Sequence, residues 1–233
     1  MKKLAAVVLV LVAIAGGALF WLSGNIDGLI KDAIANYGSA MTQAKVSVGA
    51  VKVAPADGKG TVSNLVVGNP AGFKTAHALK VARIDVDIDI ASVAKDVIVI
   101  RNIAVVAPDV IYEKGDAMTN FDAIQKNIAA YLGPGDGKTS GKKLIVEQLT
   151  IRDAKAQASA AFMSGKTISV PLPDITLKNI GRAKGGITPG ELGQEVVGAL
   201  KAKLTGAVSF ERLMKSTGEV LEKAGSAIKG LFK

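Results

Sequence analysis

The chain has no cysteine. That removes disulfide frameworks, thiolate metal sites and cysteine nucleophiles together. It has one histidine, His77. A Ser-His-Asp arrangement would have to use that residue, and no G-x-S-x-G elbow accompanies it. Aromatic residues make up only 4%. They do not interleave with basic residues in the way the stacking platform for a single-stranded nucleic acid needs. Long apolar runs are scarce as well, and the one present lies at the N-terminus.

What remains is a chain of 233 residues, 49% hydrophobic, with a net charge of +9. With aromatics rare, its core is built from Val, Ile, Leu and Ala, a mixture suited to extended sheet. A basic domain held near a bilayer meets anionic headgroups. The plainer reading of the charge is solubility.

Lys2 and Lys3 precede an uncharged run over residues 4–22. A spanning helix needs roughly 20 such residues. The lysines favour a cytoplasmic N-terminus with the remainder translocated, and Trp21 falls at the far boundary. The rival is a cleaved signal peptide, since Ala13-Ile14-Ala15 is an A-x-A element. Apolar residues continue past it through Leu22, so a retained anchor over 1–23 is the reading taken.

Ile26, Leu29, Ile30, Ala33, Ile34 and Tyr37 recur at helical spacing, which predicts an amphipathic helix over 24–38 ending at Gly38. Packing on its own domain and lying on the bilayer are both open to it. A β region with one helix follows over 39–132. Val46 and Val48 alternate, then Val51 and Val53 alternate one position out of phase, which predicts a bulge at Gly49-Ala50. Further strands are expected over 61–67, 79–90, 97–106 and 110–112. In the second of these, Ile84, Val86, Ile88 and Ile90 face one way and Asp85, Asp87 and Asp89 the other. Pro108 interrupts the ladder. Asn120 is read as the cap of a helix carrying Phe121, Ile124 and Ile128.

A Gly/Ser/Lys-rich stretch over 133–143 reads as a flexible loop. A second β region spans 144–186, with turns at Ser164-Gly165 and Pro171-Leu172-Pro173. Thr188, Pro189 and Glu191 form a helix start by capping box. The segment 187–233 then carries an apolar stripe with lysines among its polar positions, the pattern of a membrane-surface or partner-docking helix.

Three motifs come close to chemistry and depart from it. The run Gly133-Pro134-Gly135-Asp136-Gly137-Lys138-Thr139 resembles a phosphate loop, but Leu132 stands where the first glycine belongs. Asp85, Asp87 and Asp89 have the spacing of a calcium loop, but the intervening Val86 and Ile88 enforce extension. Same-face carboxylates then stand about 6.7 Å apart, too far to share one ion easily. His77 lacks a nucleophile elbow. No catalytic residue, cofactor-binding residue, cofactor or metal site is assigned, and the protein is read as not an enzyme.

Gly68-Asn69-Pro70-Ala71-Gly72-Phe73 follows a strand and precedes Ala78-Leu79-Lys80-Val81-Ala82-Arg83-Ile84-Asp85-Val86. After these come residues 99–108, ending in Pro108, and then Asn120-Phe121-Asp122. This ordered series, over roughly residues 1–124, resembles the AsmA-like family of bacterial envelope proteins. The resemblance implies a single-pass inner-membrane anchor, a periplasmic bulk and a sheet curled into an apolar groove that moves phospholipid. The chain is far shorter than the large members. A chain this short is expected to handle lipid near one membrane, to form a segment of a larger assembly or to be a purely structural partner, rather than to bridge the envelope.

The expected fold is mostly β, of α+β type: an N-terminal transmembrane helix, then a curved, mainly antiparallel sheet with a few flanking amphipathic helices. The expected partners are the inner membrane and phospholipid, with other envelope proteins or self-association also open and nucleic acid excluded. Ile84, Val86, Ile88, Ile90, Ile100, Ile103 and Val105 are the candidate lipid-facing residues. Gly68, Asn69, Pro70, Gly72 and Phe73 form the turn motif. The second function carried forward is a non-enzymatic scaffold subunit of a periplasmic complex.

Overall fold

The phase slip at Gly49 is one instance of a pattern that crosses the whole sheet. In the computed structural model, residues 26–133 and 142–210 are described. They form a 10-stranded sheet and three helices, an α+β fold in which most strand pairs are antiparallel. The strands are β1 (Val46–Ser47), β2 (Ala50–Ala54), β3 (Lys59–Val67), β4 (Leu79–Ile88), β5 (Val97–Val106), β6 (Asp109–Lys114), β7 (Lys143–Arg152), β8 (Lys155–Ala160), β9 (Ile168–Val170) and β10 (Ile175–Ile180). The helices are α1 (Ile26–Thr42), α2 (Asn120–Leu132) and α3 (Pro189–Ala207).

Register runs straight through most of the breaks, so these segments are pieces of six longer strands. β5 and β6 lie along β7 and β8 in one parallel register: Val106 faces Arg152 and Asp109 faces Lys155. β9 and β10 pair antiparallel with β8 and β7, and β1 and β2 pair antiparallel with β3. The spatial order is β1/β2, β3, β4, β5/β6, β7/β8, β9/β10. Only the β5/β6–β7/β8 neighbours are parallel, and a parallel pair needs a long crossover. Residues 115–142, with α2, supply it. The two β regions are thus one sheet.

The pairings on either side place Gly49, Asn64, Ala82, Ala107, Asp153 and Pro173 on a single row across the strands. Asn64, Ala107 and Asp153 have φ of 53, 48 and 54°. At this row the inward positions change parity. Val48 gives way to Val51, Val62 to Leu65, Val81 to Ile84, Val105 to Val110 and Ile151 to Ala156. Asn and Asp are the non-glycine residues that best tolerate the left-handed region, and Pro108 and Pro173 sit where ladder donors are dispensable. A second row, Arg101–Glu147–Asn179, repeats the device over β5, β7 and β10. Asn179 has φ 54°, and the β4–β5 register shifts at Asp87/Ile88. This explains how Ile100 and Ile103, an odd number of residues apart, serve one face.

On that face α1 and α3 run one way and α2 the other. α1 begins where Asp27 Oδ1 accepts the Val53 N–H (3.1 Å) and passes Val46, whose N–H donates to Ser39 Oγ (2.9 Å). It does not stop at Gly38 but runs to Thr42. Gly38 is needed for close approach instead, since a Cβ there would lie 3.0 Å from Val46 Cγ1. α2 starts beside β6 and ends at Leu132, against Gly190 in the first turn of α3. α3 returns to β6, where Thr205 Oγ1 and the Tyr112 hydroxyl are 3.1 Å apart. Thr188 caps α3 by the expected box with Glu191. For α2 the cap is Thr119, boxed with Asp122, and Asn120 is already inside the helix.

No helix among the described residues is long and apolar enough to cross a membrane. The run at 4–22, residues 134–141 of the glycine-rich stretch and the C-terminal stripe beyond 210 lie outside those residues.

Candidate functional site

The seven candidate lipid-facing residues separate into three groups. Ile88 and Ile100 are 1% and 0% exposed, packed with Ile98, Leu144 and Val146 in the closed core. The expectation that they face lipid does not hold, because the side chains of the helical layer fill that end of the sheet. Ile90 is not on the strand. β4 ends at Ile88, and Ile90 opens a 3-10 turn, 47% exposed. Ile84, Val86, Ile103 and Val105 stay together and half-buried.

These four form two directly opposed cross-strand pairs, Ile84 with Val105 and Val86 with Ile103. Opposed β-branched side chains pack into a continuous apolar surface. They lie between the two rows of parity change. The helices make their principal approaches elsewhere, α1 to β1 and β2, α2 to β6, and α3 to β10. The patch is therefore the central panel of the sheet, flanked by helices and sealed at both ends. A cavity of about 320 Å³ opens beside α3, between β10 and the turn after it, with Leu177, Ile180 and Ile187 on its apolar side and Lys178, Lys184 and Glu195 on its polar side.

On the opposite face the aspartates have arginine partners. Arg83 Nε is 2.7 Å from Asp85 Oδ2, and Arg101 reaches Asp89 at 2.9 Å and Asp87 at 3.7 Å. The Arg83 bond holds the Asp85 carboxyl below its usual range, against slight burial, with help from Thr61. His77 Nε2 lies 3.3 Å from Asp109 Oδ2 but is not aligned for a hydrogen bond.

The turn motif is joined to the start of α2 through a buried polar network. Asn120, 0% exposed, donates to Asn69 Oδ1 (2.9 Å) and to the Ile111 carbonyl (2.7 Å). Its Oδ1 accepts the N–H groups of Glu113 and Phe121, both at 3.0 Å. Asn69 donates to the Thr75 carbonyl and hydroxyl. The Glu113 carboxylate, 1% exposed, accepts from Lys74 N–H (2.7 Å), Thr75 N–H (2.8 Å) and Thr75 Oγ1 (2.6 Å). A buried carboxylate is tolerable when donors of this kind surround it. Pro70 is buried, and Gly72 has φ 97°. Phe73 is half-buried against Gly115, outside the main core.

No protein-family model, curated protein or solved structure matches the chain.

The sequence reading missed Glu113, Thr75 and the role of Asn120. One signal was available: a glutamate directly after the apolar Val110–Tyr112 run.

Proposed function

We propose that the protein is a membrane-tethered, periplasmic binder of phospholipid, with the acyl chain held on a curved sheet over the Ile84–Val105 and Val86–Ile103 pairs. The observation carrying this is that patch: a β-branched surface left half-covered while the sheet on either side of it is closed. Burial of apolar surface drives the binding, at about 0.8 kcal/mol per methylene. The uncharged run over 4–22 and the AsmA-like series at Gly68–Phe73 and Asn120–Asp122 support the location. No bond is made or broken, so no catalytic residue is required.

Closure of Ile88 and Ile100 favours a second reading, a scaffold subunit whose sheet is purely structural. A pair of variants distinguishes the two. Val86→Asp should fold and lose co-purified phospholipid in native mass spectrometry. Ile88→Asp should fail to fold, because its charge would be buried without a partner. Wild-type protein carrying no phospholipid after gentle extraction, with Val86→Asp unchanged, would leave the scaffold in place of the binder.

A further inference from the structure

The two ends of the sheet are chemically distinct in one respect: where the chain enters. α1 begins beside the β2–β3 turn, fixed there by the Asp27–Val53 bond. At the same end are the β4–β5 turn with Ile90, the start of β7 and the turn after β10. Gly58 of the β2–β3 turn packs on Ile90, since a Cβ there would lie 3.0 Å from Ile90 Cγ1. Leu29 and Ile90, 49% and 47% exposed, are the most exposed large apolar side chains among the described residues. The same end carries the exposed lysines Lys59, Lys95, Lys143 and Lys184, against the exposed acids Asp57 and Asp96 in its turns and Asp32 on α1. The turn motif and Phe162 are at the opposite end.

We infer that this end of the sheet rests on the anionic bilayer surface, with Leu29 and Ile90 seated among the headgroups and the lysines on lipid phosphates. The inference rests on the tether of the proposed function and adds an orientation to it. Three residues, Ser23-Gly24-Asn25, separate the apolar run from Ile26. Three residues reach at most about 10 Å, so the first turn of α1 cannot stand off from the interface. Apolar side chains held there enter the headgroup region, and neighbouring lysines are attracted to an anionic surface. A tether alone would allow the domain to tumble; Leu29 and Ile90 give it one preferred end. Phe162, 46% exposed, is a matched control at the far end.

The chain has no native cysteine, so single labels are clean. Full-length Ile90→Cys, Leu29→Cys and Phe162→Cys are each coupled to an environment-sensitive fluorophore and reconstituted into phosphatidylglycerol/phosphatidylcholine vesicles. Expected are flotation of all three, several-fold shielding of positions 29 and 90 from aqueous iodide relative to 162, and quenching of 29 and 90 by headgroup-labelled nitroxide lipid. Shielding should fall when phosphatidylglycerol is omitted. Protein that floats with all three positions equally accessible, or equally shielded, overturns the orientation and leaves the tether standing. Protein that does not float overturns both.

Discussion

Asn120 has four polar contacts, the full complement of a primary amide, and no exposed surface. Removing it would strand the Glu113 and Phe121 N–H groups, the Ile111 carbonyl and Asn69 at once. Unsatisfied buried groups cost about 1–3 kcal/mol each. Asn120→Ala should therefore lower unfolding stability by on the order of 3 kcal/mol in chemical denaturation, despite deleting only a few atoms. From sequence, Asn at a helix start reads as a cap, and that expectation is met instead by Thr119 with Asp122, a pair already visible as Thr-x-x-Asp. The inward role of Asn120 depends on Asn69, fifty-one residues away, which no local pattern reports. Likewise Ile88 and Val86 are equivalent in an alternating strand. Only the placement of the helices makes the first core and the second half-open.

At the scale of elements, strand positions were largely legible because period-two alternation of Val and Ile is strong in this chain. The phase slip at Gly49 was legible too. Its counterparts at Asn64, Ala107 and Asp153 were not, because a single αL residue leaves no compositional mark unless the partner strands are aligned. This makes Asn64 testable. It is exposed, so ordinary substitution should matter little. Its φ of 53° disfavours β-branching strongly, so Asn64→Val should cost about 2 kcal/mol, against a few tenths for Ser63→Val on the same strand. Equal melting temperatures for the two variants would show that the row of parity change is not conformationally demanding.

The helix starts make a pH prediction. Burial works to raise the Asp122 carboxyl, but Lys201 (2.6 Å) and the Thr119 bonds outweigh it and hold the group below its usual range. At Glu191, burial is outweighed in the same way by the Thr188 bonds, with Lys184 and Lys143 assisting. Both groups bind protons more weakly folded than unfolded. Their stabilisation is complete above the unfolded carboxylate values and is lost as pH falls through the depressed folded values, from about pH 4 downward. Asp122→Asn with Glu191→Gln should be less stable at pH 7 and show a shallower acid limb in thermal melts between pH 2 and pH 5. Each lost cap is worth about 1 kcal/mol.

For the whole molecule, the question is whether the sheet extends into an assembly by adding strands at its edges. β9 and β10, from Ile168 to Ile180, together span roughly 40 Å at about 3.3 Å per residue, so an open edge there would present a long template. Both edges are guarded. Along β1 and β2 the N–H groups of Val46 and Val53 are already taken by Ser39 and Asp27 of α1, and Lys52 stands exposed. Along β9 and β10 the chain carries Pro171 and Pro173, which have no N–H to offer, and the exposed Lys178. Covered donors, prolines and lysines are the devices by which native edges avoid pairing. The full chain in detergent should therefore sediment with one copy per micelle. Pro171→Thr with Pro173→Thr restores two donors on the outer edge and should drive concentration-dependent association in analytical ultracentrifugation, while Ser39→Ala exposes one donor at the other edge and should do so less. If the unaltered chain already forms ordered oligomers through these edges, the guards are ineffective and a scaffold that grows by strand addition becomes the better account. If it stays single, partners must reach it through the central panel or the sheet's ends, where the apolar surface remains.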